Sequence, residues 1–296
     1  MQLDGVLVPI VTPFDAQGRV DLEGLRALVA RFMDAGVRGI VACGTTGEYY
    51  ALDEQEREAV LRTVRESLGD QALAIAGINS LSTAAAIERA EQAEALGYQA
   101  LMLAPPAYSL PNQAEVIAHY RDVAAATDLP IVLYNFPART GVNLELETVA
   151  SLARLPGIIG IKESSGDFTR ALALMQMAGP AFQVVCGSDD QAADYLFWGA
   201  RSWISGGANV FPAEQVGMLE AARREDWHRV RDLMRDMLPA IQNMEAADYN
   251  QKAKLGCRRH GVDAGEVRPP LRPLSPDAAQ AFLDALDAFE TKQQGA

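Results

Sequence analysis

Ile158-Ile159-Gly160-Ile161-Lys162-Glu163 reads as a short strand, apolar along both faces, that ends on a cation and an anion. A strand that is apolar on both faces belongs in a parallel sheet covered on both sides, because a half-exposed strand alternates instead. Working outward from it, the same kind of run recurs at residues 6–11, 39–43, 73–77, 100–104, 131–135, 183–187 and 203–205. Amphipathic stretches separate these runs, at 22–35, 53–68, 83–96, 114–126, 144–154, 169–178, 191–198 and 213–222. Several carry helix-start signals, such as Asp53 before Glu54 and Glu56, or Ser80 and Ser82 before an alanine-rich run. Gly36, Gly97 and Gly199 follow helices as helix-ending glycines do. An open doubly wound sheet uses the same alternation, but eight strand–helix units in unbroken order favour closure into a (β/α)8, or TIM, barrel. From residue 225 onward the pattern is helical, with segments expected near 227–244 and 276–289. The organisation expected is therefore a barrel over 1–224 and a helical extension over 225–296 packed on it.

The chain of 296 residues has 49% hydrophobic and 22% charged residues and a net charge of −13, which argues against nucleic acid or an anionic membrane as partner. An anionic small molecule remains open, because local charge can oppose net charge. Cys43, Cys186 and Cys257 are too few and too scattered for a disulfide framework, and suit reduced thiols. His119, His228 and His260 form no ligand-spaced cluster, so no metal site is expected. Met1-Gln2-Leu3-Asp4-Gly5 has neither a basic region nor a long apolar run, so neither a signal peptide nor a membrane span is expected, and the cytoplasm is the expected location.

Lysine is used sparingly: Lys162, Lys252, Lys254 and Lys292 are the only four. Lys162 is thus alone in the first 251 residues, at the C-terminal end of a strand read as buried. A buried unpaired cation is costly, so this lysine needs a partner or a purpose. An amine in an apolar pocket loses its proton more readily and can attack a carbonyl to give an imine, which arginine cannot do. The bland alternative is an ion pair with Glu163 or another carboxylate. Strand C-terminal ends are where barrels keep their catalytic groups, and that position favours the amine chemistry.

Other strand ends supply companions. Cys43-Gly44-Thr45-Thr46-Gly47-Glu48 offers hydroxyls and N–H groups suited to a carboxylate, although alone it reads equally as a tight turn. Tyr134-Asn135-Phe136-Pro137-Ala138-Arg139-Thr140-Gly141 offers a phenol for proton transfer and a guanidinium for a carboxylate. The bland counterpart is a satisfied barrel tyrosine beside a solvated arginine. Pro105-Pro106-Ala107-Tyr108-Ser109 presents an aromatic, and Cys186-Gly187-Ser188-Asp189-Asp190 and Ser205-Gly206-Gly207-Ala208-Asn209 close the set. Loops seven and eight of barrels often hold phosphate, but neither of these strings contains a lysine or arginine.

Taken together, Gly44-Thr45-Thr46-Gly47-Glu48, Tyr134-Asn135-x-Pro137-x-Arg139-Thr140-Gly141 and Gly160-Ile161-Lys162-Glu163 resemble the dihydrodipicolinate synthase and N-acetylneuraminate lyase group of class I aldolases. The resemblance runs from Gly5 to the region of Asn209. It implies a lyase in which Lys162 forms an imine with pyruvate or the pyruvyl part of a larger substrate. It further implies that Tyr134 is the proton-transfer phenol, positioned by Thr45, and that Tyr108 completes the relay by crossing from a neighbouring subunit. Thr45 and Thr46 would hold the 2-oxo acid carboxylate, with Arg139, Gly187 and Ile204 completing the substrate-binding set. No dissociable cofactor is implied, and the group commonly forms tetramers built from tight dimers. Arg139 looks like the synthase branch, which condenses pyruvate with aspartate semialdehyde to 4-hydroxy-tetrahydrodipicolinate. Tyr49-Tyr50 after Glu48, Ala107 before Tyr108, and the absence of an Asn-Pro string in 246–254 depart from that branch. They keep open a sibling aldolase or dehydratase acting on a 2-keto-3-deoxy sugar acid, sialic acid or hydroxy-oxo acid. A non-catalytic barrel that binds a small acid, or a phosphate-binding isomerase, stands further off.

Overall fold

A computed structural model describes residues 1–294; the last two residues of the expected helical extension, 295–296, lie outside the described residues. Eight parallel strands close into a barrel in chain order: β1 Gly5–Pro9, β2 Gly39–Ala42, β3 Leu73–Gly77, β4 Ala100–Leu103, β5 Ile131–Asn135, β6 Ile158–Glu163, β7 Gln183–Cys186 and β8 Ser202–Ile204. Closure is made by β1 against β8, with Gly5 opposite Ser202, Val6 opposite Trp203 and Leu7 opposite Ile204. The helices are α1 Leu22–Asp34, α2 Glu54–Leu68, α3 Thr83–Ala95, α4 Gln113–Ala125, the single turn α5 Pro137–Thr140, α6 Leu146–Leu152, α7 Phe168–Met177, α8 Ala192–Phe197 and α9 Pro212–Arg223. Then follow α10 Trp227–Ala246, α11 Tyr249–Arg259 and α12 Pro276–Gln294.

Period-two alternation divides the apolar residues between two layers. Leu7, Val41, Ile75, Met102, Val132, Val185 and Ile204 fill the barrel interior. Val6, Val8, Ile40, Leu101, Leu103, Ile131, Leu133 and Ile161 face the helices. Each such side chain fully removed from water contributes about 1.5–3 kcal/mol, which is why both faces of every strand are apolar. Asp53 caps α2 and Asn112 caps α4, each in a reciprocal box with the glutamate three residues on, which sets where those two helices start.

β3, β5 and β6 read as strands to the residue, and the other elements of the barrel differ from the sequence reading by a residue or two at their ends. The exception is the ring between β5 and β6: it holds the unanticipated turn α5, and α6 is shorter than the stretch at 144–154. A larger difference is α11, which the sequence pattern did not announce as a helix. Its buried face is made of Asn250, Gln251, Lys252, Ala253, Lys254, Gly256 and Cys257 rather than large aliphatics, so no apolar stripe marks it. The helix packs against α10 and α12.

One buried ion pair fixes it there. Lys254 Nζ lies 2.8 Å from Glu48 Oε1, and both side chains are almost wholly buried. Glu48 Oε2 accepts the N–H of Arg268 at 2.9 Å. Phe14 is sandwiched by cations, with Lys254 Nζ 4.1 Å and Arg268 Cζ 4.2 Å from its ring centre. Glu48, the last residue of the Gly44–Glu48 string, therefore ties the loop after β2 to the C-terminal helices.

Candidate active site

A cavity of about 440 Å³ opens at the C-terminal ends of the strands. Lys162 lies in its wall, 5% exposed, as the penultimate residue of β6. The β5–β6 ladder places Tyr134 directly beside Lys162 and Asn135 beside Glu163. Since successive side chains point to opposite faces, Tyr134 and Lys162 turn into the barrel together while Asn135 and Glu163 turn towards the helices. Lys162 Nζ sits 4.5 Å from the centre of the Tyr134 ring. The ion pair between Lys162 and Glu163 does not form. Glu163 is taken instead by Arg170 Nε at 2.9 Å and by Asn135 Nδ2 at 3.0 and 3.1 Å.

Burial lowers the Lys162 ammonium from its ordinary 10.5 to about 8, against the opposing charges of Asp189 and Cys186. The largest cause is desolvation, which penalises the charged form. Asp189 is itself buried but fully engaged. It accepts hydrogen bonds from Trp203 Nε1, the Gly207 N–H and the Tyr249 hydroxyl, each at 2.8 Å. Burial pushes the Tyr134 phenol well above its usual range. The charge of Arg139 and hydrogen bonding from the Ser164 and Thr45 hydroxyls offset part of that rise. Tyr134 thus stays protonated across neutral pH and can donate.

The backbone makes room for this arrangement. Cys43 and Glu48, at either end of the loop after β2, both adopt left-handed backbone with φ of 54° and 53°, as does Tyr108 at 70°. Such conformations in non-glycine residues cluster where a site demands them. Gly187 is needed for contact: a Cβ there would meet Lys162 Cγ at 2.8 Å and collide with the Ser164 hydroxyl. Gly206 likewise leaves space for the Tyr249 ring, whose Cε1 a Cβ would meet at 2.8 Å.

Of the residues singled out in the sequence, Lys162, Tyr134, Thr45, Thr46, Arg139 and Gly187 line one cavity. Arg139 stands over the Phe136 ring, its Cζ 5.8 Å from the centroid. Ile204 lies in the sealed barrel interior beside Tyr134 and Val185, and is not among the residues lining the cavity. Tyr108 is 92% exposed on the loop after β4, outside the cavity of its own chain.

The sequence reading missed the remaining wall. Glu245, Ala247, Asp248, Tyr249 and Asn250, from the end of α10 and the start of α11, fold back over the barrel mouth. Asn250 Nδ2 donates to the Thr45 carbonyl at 3.3 Å and to the Tyr50 hydroxyl at 3.2 Å, fastening this wall to the loop after β2. The available signal was an unusual density of polar residues, Tyr249-Asn250-Gln251-Lys252, on a helix that has to bury one face.

A profile of the Dihydrodipicolinate synthetase family matches residues 2–289. The chain is 36% identical over 290 residues to a 4-hydroxy-tetrahydrodipicolinate synthase of Exiguobacterium, covering 98% of this chain and 99% of that one. Among solved structures it is similar to the 4-hydroxy-tetrahydrodipicolinate synthase of Methylacidiphilum fumariolicum, with 29% identity, a TM-score of 0.96 and coverage of 99% and 98% of the two chains. It is also similar to the chloride-inhibited dihydrodipicolinate synthase of Acinetobacter baumannii complexed with pyruvate, with 32% identity, a TM-score of 0.94 and coverage of 98% and 99%. The chain belongs to the Dihydrodipicolinate synthetase family.

Proposed function

We propose that this member of the family is a 4-hydroxy-tetrahydrodipicolinate synthase, a class I aldolase that joins pyruvate to aspartate semialdehyde through an imine on Lys162. The observation that carries the reading is the pairing of Lys162 with Tyr134 across the β5–β6 ladder, in one cavity with the Arg139 guanidinium, which stands over the Phe136 ring and forms no ion pair among the described residues. Full-length relatives that bear this name support it.

The neutral Lys162 amine attacks C2 of pyruvate, and loss of water gives the imine. Thr45 and Thr46 hold the pyruvate carboxylate at the end of β2. The protonated imine draws electrons from the methyl group, which loses a proton to give the enamine. The enamine carbon then attacks the aldehyde carbon of the acceptor, whose carboxylate lies on Arg139. Tyr134 gives its proton to the oxygen that becomes the new hydroxyl. Finally, the amine of the acceptor attacks the imine carbon and expels Lys162, closing the ring and freeing the enzyme. The imine itself is the electron sink, so the reaction needs no dissociable cofactor. Gly187 lets β7 approach the lysine stem, and Ile204 supports the floor from below rather than touching substrate.

The exposed, left-handed Tyr108 supports a homo-oligomer, a dimer of dimers in which this side chain enters the neighbouring cavity and completes the proton relay. The net charge of −13 and the three scattered free cysteines support a cytoplasmic enzyme with no nucleic-acid or membrane partner. Tyr49 and Tyr50, which line an adjoining cavity of about 230 Å³ with Thr45, Tyr134 and Arg139, favour the sibling aldolase as a second reading. A narrower acceptor site would select another aldehyde.

The test is to incubate the protein with pyruvate, reduce with borohydride and map the adduct by mass spectrometry. A reduced pyruvyl group on Lys162 that is lost in Lys162→Ala supports the reading. No adduct with pyruvate or with larger 2-oxo acids sinks it. Turnover of aspartate semialdehyde, against a panel of other aldehydes, then separates the synthase from its sibling.

A further inference from the structure

Carboxylates of Asp189, Asp190, Glu245 and Asp248 line the cavity, and of these only Asp189 is buried. Charges that meet water are screened, whereas one held inside the protein is screened much less. Asp189 is 3% exposed and sits in a socket built for it. Its Oδ1 accepts from Trp203 Nε1, and its Oδ2 accepts from the Gly207 N–H and the Tyr249 hydroxyl, each at 2.8 Å. The socket draws on β8, the turn after it and α11, and a Cβ on Gly207 would come within 3.0 Å of the same Oδ2. All three donors are neutral, so they hold the carboxylate in place without cancelling its charge.

The segment that carries Asp189 lies against Lys162: a Cβ on Gly187, two residues earlier, would meet the lysine Cγ at 2.8 Å. The other titratable groups nearby offer the amine no counter-charge. Burial holds the Tyr134 phenol on β5, the Cys186 thiol on β7 and the Tyr249 phenol on α11 above their usual ranges, so all three stay neutral. Glu163 is taken by Arg170 on the far face, and the Arg139 guanidinium has the wrong sign. Resting on the aldolase reading above, we propose that Asp189 is the positioning residue for charge at the Lys162 nitrogen, a fixed carboxylate that favours the protonated imine over its neutral form without pairing directly with the free amine.

The way Asp189 is held decides what it can do. A carboxylate bonded directly to Nζ would hold the ammonium proton and keep the amine from attacking. Asp189, engaged by three neutral donors, acts on the nitrogen through its field instead. Burial is the first influence on the amine and lowers it, and Asp189 is the largest influence in the other direction. Together they leave an amine that loses its proton more readily than an ordinary lysine, yet with a counter-charge at hand. When the neutral amine attacks the keto carbon, one proton is taken up and one water is lost, and positive charge returns to the same nitrogen. A carboxylate already in its socket meets that charge with no reorganisation.

The experiment is competitive acetylation of the whole protein by acetic anhydride from about pH 6 to about pH 10, with the Lys162 peptide read by mass against a reference amine. Only the neutral amine reacts, so wild type should reach half its limiting rate near pH 8. Asp189→Asn keeps the shape and removes the charge. Its half-point should fall by about one pH unit, so that at pH 6 Lys162 reacts about tenfold faster relative to its own rate at pH 10. Turnover of pyruvate should nevertheless fall by about tenfold or more, because the protonated imine has lost its counter-charge. A merely structural role would lower turnover and leave the half-point in place, and that result overturns the inference. Tyr249→Phe removes one donor and leaves the charge, so its half-point should move the other way, to higher pH. Where Asp189→Asn does not fold, Tyr249→Phe decides, and a half-point that stays or falls overturns the inference. A wild type that forms no pyruvate adduct on Lys162 under borohydride overturns the aldolase reading and this inference with it. An adduct with an unmoved half-point overturns this inference alone.

Discussion

Replacing Lys162 with methionine should abolish the chemistry and make the protein more stable, by an amount that depends on pH. The ordinary ammonium titrates at 10.5, whereas Lys162 in the folded chain titrates at about 8. At about 1.36 kcal/mol per pH unit, that difference places a penalty of about 3 kcal/mol on holding the charged lysine in the folded protein. The sign follows from proton binding. Between pH 8 and 10.5 the unfolded chain holds the proton and the folded chain has released it, so folding gains stability as pH rises through that window. Below pH 8 both states are protonated and the full penalty applies. Methionine is near-isosteric, carries no charge and is at ease in the ring-lined pocket. Lys162→Met should therefore be more stable than wild type by up to about 3 kcal/mol at pH 7, with the gain shrinking towards nothing near pH 10.5. Urea titrations of both proteins at matched chain concentration, at pH 7 and at pH 10, measure the difference directly. A gain that is absent at pH 7, or equal at both pH values, would refute the view that Lys162 is a desolvated amine poised to lose its proton.

Other outcomes follow from the same geometry. Arg139→Ala should weaken the acceptor by about 1.5–3 kcal/mol, seen as a rise in its KM, while borohydride trapping of pyruvate persists. Tyr134→Phe should lower kcat by about 10²–10⁴-fold, with the Lys162 adduct still detected by mass. If Tyr108 crosses between subunits, mixing Tyr108→Phe chains with Lys162→Ala chains should restore activity that neither has alone, because one cavity of each mixed pair is then complete. Glu48→Gln alone should cost about 3–5 kcal/mol by leaving Lys254 buried and unpaired, whereas adding Lys254→Met should recover part of the loss in a thermal or urea melt.

Lys162 and Tyr134 were legible in the sequence because each ends an apolar run whose two-faced character defines a buried parallel strand. The strand gives the position, and the barrel gives that position its meaning. Asn135 and Glu163 were harder: the sequence offered Glu163 as a partner for Lys162, and only the alternation of a β-strand, with Arg170 waiting on the far face, sends it elsewhere. Of the remaining cavity wall, Asp189 and Asp190 stood in the string read after the seventh strand, but the part from α10 and α11 was not legible. Glu245, Tyr249 and Asn250 belong to helices whose pattern says nothing of which way they fold, and Tyr249 reaches Asp189 across 60 positions of sequence. Local periodicity carries no information about such a pairing. Nor does it reveal that Lys254 is buried, since a lysine on a helix ordinarily marks the solvent face.

The clasp between Glu48 and Lys254 has a consequence for the order of events at synthesis. The two residues are joined only after some two hundred intervening residues have been made, and Arg268 closes on the same carboxylate later still. A chain emerging from the ribosome possesses its reactive amine and phenol as soon as the sixth strand appears, yet the roof that shields them from bulk water arrives among the last tenths of the polypeptide. An aldolase that activated pyruvate before that moment would leave its enamine open to protonation by solvent. Competence should thus wait until translation is nearly finished, and a chain stopped after the eighth strand should carry all the catalytic side chains of one chain without the cavity wall that α10 and α11 supply.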